Sequence, residues 1–230
     1  MIAEFESRQF AEELEWLLEA VHDNPLSPLH SVRFDGDYIV ASDGYRLHAV
    51  PTTSGLKMTV PASVARLWLE AIQLLGPVMV AIEGDTVGAV EFRAGGIGAT
   101  LQLSIISTAG WETGLNWRPL VESKGSRIVV ETKALKKAIS LVRRGREPSE
   151  GVRVVANGDL RLIAGEGDPQ IVTIREGKNT EVEVKARPRY MLDAIGGLQG
   201  EHVRLSVHDN GVLSLEGDDG YRVAYIMGME

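Results

Sequence analysis

The strongest constraint in this sequence is that it repeats itself. Residues 58–92 (MTVPASVARLWLEAIQLLGPVMVAIEGDTVGAVEF) and 182–215 (VEVKARPRYMLDAIGGLQGEHVRLSVHDNGVLSL) share one plan. Each has a short strand, a proline near a helix start, an amphipathic run, a glycine stop and then two strands. Leu69-Glu70-Ala71-Ile72 matches Leu192-Asp193-Ala194-Ile195 in register. Such self-similarity makes the repeat the unit that must fold. Val64, Leu67, Ala71 and Leu74 fall at helical spacing and predict the buried face of the first of these helices, which Gly76-Pro77 ends. VMVAIEG and VRLSVHDNG alternate with period two, as half-buried strands do.

A looser copy of the unit opens each half. Residues 2–5 read as a strand, followed by a helix from about Ser7 to His22 with Phe10, Leu14, Leu17 and Val21 on one face. Residues 127–131 read as another strand, after which Thr132 is expected to cap a helix closed by Gly145. Short strands follow each helix, punctuated by Asp35-Gly36, Asp43-Gly44, Asn157-Gly158 and Gly165-Glu166-Gly167. Asp-Gly and Asn-Gly predict type I′ turns, with positive φ at both central residues. The expected fold class is α+β: two domains, 1–122 and 123–230, each with two helices packed on antiparallel sheets. The boundary falls in the stretch WRPLVESKG.

Composition excludes several function classes. With 230 residues, 44% of them apolar, and a formal charge of −8, the chain can bury a core and is not intrinsically disordered. It has no apolar run long enough for a membrane helix. Its acidic start, MIAEFESRQF, does not read as a secretory leader, so a cytoplasmic location is expected. Zero cysteines exclude disulfides, thiolate zinc sites and cysteine nucleophiles. The five histidines show no metal-ligand spacing, and the two His-Asp-Asn triplets (from His22 and His208) read as turns. Gly95-Gly96-Ile97-Gly98 lacks the lysine and helix of a phosphate loop and reads as a bent hairpin. Glu12, Glu13, Glu15 and Glu19 read as the solvated side of an amphipathic helix. Neither a catalytic constellation nor a metal or cofactor site is expected, so the chain does not read as an enzyme.

Two stretches resemble a known family. Tyr38-Ile39-Val40-Ala41-Ser42-Asp43-Gly44-Tyr45-Arg46-Leu47 resembles the V-A-T-D-G-H-R-L-A signature of bacterial DNA polymerase III beta subunits, the sliding clamps, and Pro25-Leu26-Ser27-Pro28-Leu29 precedes it much as in that family. The last forty residues, ending DDGYRVAYIMGME, look like the clamp C-terminal domain with its Met-Pro-Met tail, and WETGLNWRPLVE sits where the family has a linker. The resemblance implies the DNA clamp fold, with helices inside a ring and sheets outside. The family has three such domains per chain, whereas this sequence resembles the middle and last; six domains would then require a trimer.

The resemblance also implies partners and sites. A clamp slides on duplex DNA through backbone contacts that carry no sequence information. Lys133, Lys136, Lys137, Arg143, Arg144 and Arg146, with Arg187 and Arg189 at the next helix, are the candidate DNA-facing residues; the same cations also suit an ordinary solvated helix, whose core side would be Leu135, Ile139 and Val142. A groove for short peptides of polymerase or repair proteins would use Ser42, Gly44, Tyr45, Arg46, Leu47 and Pro61, with Tyr225, Ile226, Met227 and Met229 from the tail. Leu47, Ile226 and Met227 read equally well as core. Gly228 stands where the family has proline, so a more flexible tail is expected. Through Glu122 there are seven basic and 16 acidic residues, beyond it 17 and 16. The acidity reaches a helix expected to line the hole. That leaves open a clamp-like interaction module that binds peptides without holding DNA.

Overall fold

The computed structural model describes residues 2–75, 79–83, 89–94, 97–102, 117–122, 125–144, 150–178 and 181–229. The chain divides into two compact units, Met1–Asn116 and Trp117–Glu230. Unit 1 runs β1 (Ile2–Glu6), α1 (Ser7–Leu18), β2 (Ser31–Asp35), β3 (Tyr38–Ser42), β4 (Arg46–Pro51), β5 (Lys57–Pro61), α2 (Ala62–Leu75), β6 (Met79–Glu83), β7 (Ala89–Ala94) and β8 (Ile97–Gln102). Unit 2 begins with a short helix, α3 (Arg118–Glu122), and continues β9 (Gly125–Glu131), α4 (Thr132–Arg143), β10 (Val152–Asn157), β11 (Asp159–Ile163), β12 (Gln170–Val172) and β13 (Ile174–Glu176). It ends with β14 (Val182–Ala186), α5 (Pro188–Gly197), β15 (His202–His208), β16 (Val212–Gly217) and β17 (Val223–Met227).

The doubled plan is realised by exchange. In unit 1 the strand that opens each repeat pairs with the first strand after the other repeat's helix: β1 with β6 and β5 with β2, all antiparallel. Unit 2 does the same with β9 on β15 and β14 on β10. Each repeat then completes its own meander, so neither repeat can close its sheet alone. One strand departs from the pattern. After α4 the third strand divides: β12 stays on β11, while β13 crosses to pair with β9 in the other sheet.

Both helices of each unit pack against one another, α1 on α2 and α4 on α5, and against the sheets. Phe10, Leu14, Leu17 and Val21 are buried as the spacing predicts, with Phe10 stacked on Phe5 at 4.7 Å between ring centroids. Each such side chain removed from water contributes about 1.5–3 kcal/mol. Helix α1 stops at Leu18, short of the expected His22.

Three further expectations need correction. The buried stripe of α2 is Ala65, Trp68 and Ile72, whereas Leu67 and Leu74 point to solvent, 47% and 87% exposed. Trp68 is the largest apolar group on the helix, and sinking it rotates the flanking leucines outward. Thr132 does not cap α4: the N-cap is Glu131, without a side-chain hydrogen bond, and the Thr132 hydroxyl donates instead to the Gly200 carbonyl at 3.2 Å. No described residue other than glycine has positive φ, so Asp35-Gly36 and Asn157-Gly158 do not form type I′ turns. The expected stops at Gly76-Pro77 and Gly145 lie outside the described residues, as do Gly95 and Gly96 and the first half of the WETGLNWRPLVE stretch.

Candidate functional site

The turn between β3 and β4 is tied by its own side chains. The Ser42 hydroxyl donates to the Arg46 carbonyl at 2.6 Å and accepts from the Gly44 amide at 3.0 Å. Asp43 Oδ1 accepts from the Tyr45 and Arg46 amides at 2.9 and 3.0 Å, while Oδ2 accepts from Arg46 Nε at 3.1 Å. Gly44 has φ +91°, where a side chain would be strained. Arg46 also donates to the Glu19 carbonyl at the C-cap of α1, where the helix dipole favours a cation. Ser42, Arg46 and Leu47 are therefore enclosed. Tyr45 stands 56% exposed, Gly44 is open and Pro61 at the end of β5 is half-buried. The surface this turn offers in unit 1 is made by Tyr45 and Gly44, with Arg46 holding the turn from within.

Unit 2 carries the same device. Asp219-Gly220-Tyr221-Arg222 repeats Asp43-Gly44-Tyr45-Arg46 letter for letter. The Tyr221 amide donates to Asp219 Oδ1 at 3.0 Å, Gly220 has φ +67°, and buried Arg222 donates to the Gly197 carbonyl at 2.6 Å, at the end of α5. In both units the arginine enters the third strand after a helix and bonds to the C-terminus of that helix. The signal was available in the sequence as a repeated tetrapeptide.

Within the tail, Tyr225 and Ile226 are buried in β17, opposite Ser214 and Leu213 of β16, and Met227 is 43% exposed. Beyond β17 the tail lies against β14. The Met229 amide donates to the Lys185 carbonyl of β14 at 2.8 Å. A Cβ on Gly228 would overlap the Gly211 carbonyl oxygen, so only glycine allows this close passage.

Helix α4 separates its two sides cleanly. Leu135, Ala138, Ile139 and Val142 are buried, while Lys133, Lys136, Lys137, Arg143 and Arg144 are exposed and, among the described residues, make no ion pair. Arg146 lies outside the described residues. The arginines of α5 are engaged locally: Arg187 donates to the Tyr190 hydroxyl at 2.9 Å with its guanidinium over that ring, and Arg189 faces Asp193 at 3.7 Å. On α1, Glu15 and Glu19 are exposed and Glu12 is half-buried, reached by Arg8 at 3.3 Å. Glu13 departs from the expected solvated row: it is buried and accepts from Gln9 Nε2 at 2.8 Å.

Two further groups set the electrostatics. His48 on β4 is fully buried, stacked on Trp16 at 4.3 Å, and its Nδ1 meets the Trp16 carbonyl at 2.8 Å. A carbonyl only accepts, so the proton sits on Nδ1. Burial pushes the His48 pKa down to about 3, keeping the ring neutral. Glu6 caps α1, accepting from the Gln9 and Arg8 amides at 2.7 and 3.1 Å; these bonds hold its carboxyl below the usual range. Among the described residues no group of acidic or histidine side chains could hold a metal ion, and no described helix is long and apolar enough to cross a membrane.

No family model matches the sequence, and no curated protein matches it. Solved structures do. The DNA polymerase III beta subunit of Pseudomonas aeruginosa aligns over 100% of this chain and 66% of its own length, with TM-score 0.81 and 17% identity. A beta-subunit structure from Eubacterium rectale gives 0.80 over 65% of its length at 15% identity, and the sliding clamp of Bacillus subtilis gives 0.79 over 64% at 18%. This chain thus spans about two thirds of the clamps it matches. Its exchanged strand–helix–strand repeats form the fold of the bacterial sliding clamps.

Proposed function

We propose that the chain is a DNA sliding clamp or clamp-like processivity factor. It encircles duplex DNA and tethers polymerase or repair proteins through a peptide-binding groove. The supporting observation is the exposed cationic row of α4 on a body with the clamp fold along its whole length. A cationic face engages phosphates without reading bases, which permits sliding. The role is non-enzymatic and cytoplasmic, and needs no cofactor. Six domains make a ring as a homotrimer, opened by a clamp loader.

The candidate peptide-contacting residues in this reading are Gly44, Tyr45 and Pro61 of unit 1 and Met227 and Met229 of unit 2. Within unit 1 the enclosed Ser42, Arg46 and Leu47 hold the turn that presents Tyr45, and within unit 2 the buried Tyr225 and Ile226 hold the strand that carries Met227. Methionine adapts to varied apolar partners, which suits a surface shared by several peptides. Binding of a clamp-binding peptide, followed by fluorescence anisotropy, should fall at least about tenfold in Tyr45→Ala and Met227→Ala. Unchanged affinity in both would place the groove elsewhere.

A second reading is favoured by one observation, the carboxylates on the exposed side of α1. A body that meets DNA with carboxylates is repelled within a Debye length, about 8 Å at physiological salt. In this reading the chain is a non-encircling module that binds partner peptides. Light scattering at about 0.15 M salt separates the two: a trimer supports the ring, and a monomer supports the module.

A further inference from the structure

The helical face of unit 1 has the wrong chemistry for a DNA lining. Its exposed stripe on α1 carries Glu15 and Glu19 beside Glu12, and α2 adds Glu70 to Arg66. On the same α2 stripe lie Leu67 and Leu74, two turns apart and open to water. Helices α1 and α2 are in contact, so unit 1 exposes the carboxylates of α1 on a helix pair that also exposes two leucines. Phosphates are repelled by its carboxylates and its leucines are poorly hydrated; a cationic protein surface suits both.

That complement is present on the chain itself. Helix α4 presents Lys133, Lys136, Lys137, Arg143 and Arg144, without ion pairs among the described residues. The acidic stripe runs from Glu12 to Glu19, seven residues, and on α4 Lys136 and Arg143 are likewise seven apart, with Lys133 and Lys137 beside Lys136. Laid side by side, the two helices bring carboxylates opposite lysine and arginine cations over about two turns. We propose that the α1–α2 face of unit 1 is a docking face whose occupant is the basic α4 face of a second copy of this chain. This self-association goes beyond the clamp reading and does not rest on it. DNA competes for the same cations, so the self-docked form is the DNA-free one.

The test is the molar mass in solution across a concentration series, at about 0.01 M and about 1 M salt, where the Debye length falls from about 30 Å to about 3 Å. The native chain should associate at low salt and dissociate at high salt. The triple reversal Glu12→Lys, Glu15→Lys, Glu19→Lys should weaken self-association at least about tenfold, as should Lys133→Glu, Lys136→Glu, Lys137→Glu. Mixing the two variants, each shown to be folded by circular dichroism, should restore association, because each supplies the face the other has given up. An association indifferent to salt and to both reversals overturns the proposal while leaving a ring closed through strand edges intact. A native chain that stays monomeric at low salt overturns it too, and so does a mixture that fails to associate. Failure of the clamp reading is seen separately, in retention on DNA.

Discussion

Arg46 and Arg222 occupy the same place in two different repeats, each buried and each donating to the carbonyl at the C-terminal end of its repeat's helix, Glu19 for one and Gly197 for the other. The third strand is thereby fastened to the helix that precedes it by two strands. In the first case the guanidinium also pairs with Asp43, whose carboxylate organises the turn that presents Tyr45.

Truncating either arginine should destabilise its unit. Arg46→Ala leaves a largely buried carboxylate without its cation, which costs about 3–5 kcal/mol. Arg222→Ala removes a charge-assisted hydrogen bond, worth about 1.5–3 kcal/mol. Urea unfolding should show a loss of stability in both variants. Losses near zero would mean the buried bonds contribute little.

His48 makes unit 1 sensitive to acid. Its folded pKa, about 3, lies below the ordinary value of 6.5, so the unfolded chain binds the proton more readily. Stability from the neutral ring is complete above pH 6.5 and declines as pH falls toward 3, at about 1.4 kcal/mol per pH unit. His48→Gln keeps a donor for the Trp16 carbonyl and removes the titration. Between pH 6.5 and 4.5 its stability should fall about 2–3 kcal/mol less than that of the native chain. Parallel pH profiles would exclude His48 as the cause.

Gly228→Ala should loosen the tail. The added methyl meets the Gly211 carbonyl, forcing residues 228–229 away from β14 at a cost of about 1–3 kcal/mol. Amide hydrogen exchange at Met229 should accelerate as its bond to Lys185 breaks. An unchanged exchange rate would show that the strand accommodates the methyl.

Replacing Lys133, Lys136 and Lys137 by alanine should weaken DNA binding uniformly across sequences. The slope of log K against log salt should fall by about three, one for each lysine removed from a phosphate. Arg66→Ala on the acidic face should leave that slope unchanged.

The repeat made the fold legible, because strand and helix periods recur with their punctuation. The core faces of α1 and α4 were legible for the same reason: Phe10, Leu14 and Leu17, like Leu135, Ile139 and Val142, form large apolar rows on helices otherwise mostly charged. The face of α2 was not, since apolar residues surround that helix and the bulk of Trp68 decides which row turns inward. Glu13 and Arg46 look like surface charges in one dimension; their burial depends on a neighbouring helix and strand that only the folded chain supplies. The path of the tail depends on Gly228 passing Gly211, a long-range fit with no local signature.

Encirclement is tested most directly by topology. The chain is loaded onto nicked circular DNA with its clamp loader, and retention is followed by gel filtration before and after a single restriction cut. A closed clamp stays on the circle and is lost from the linear form by sliding off its ends. Equal retention on circular and linear DNA, or equal release from both, would contradict it.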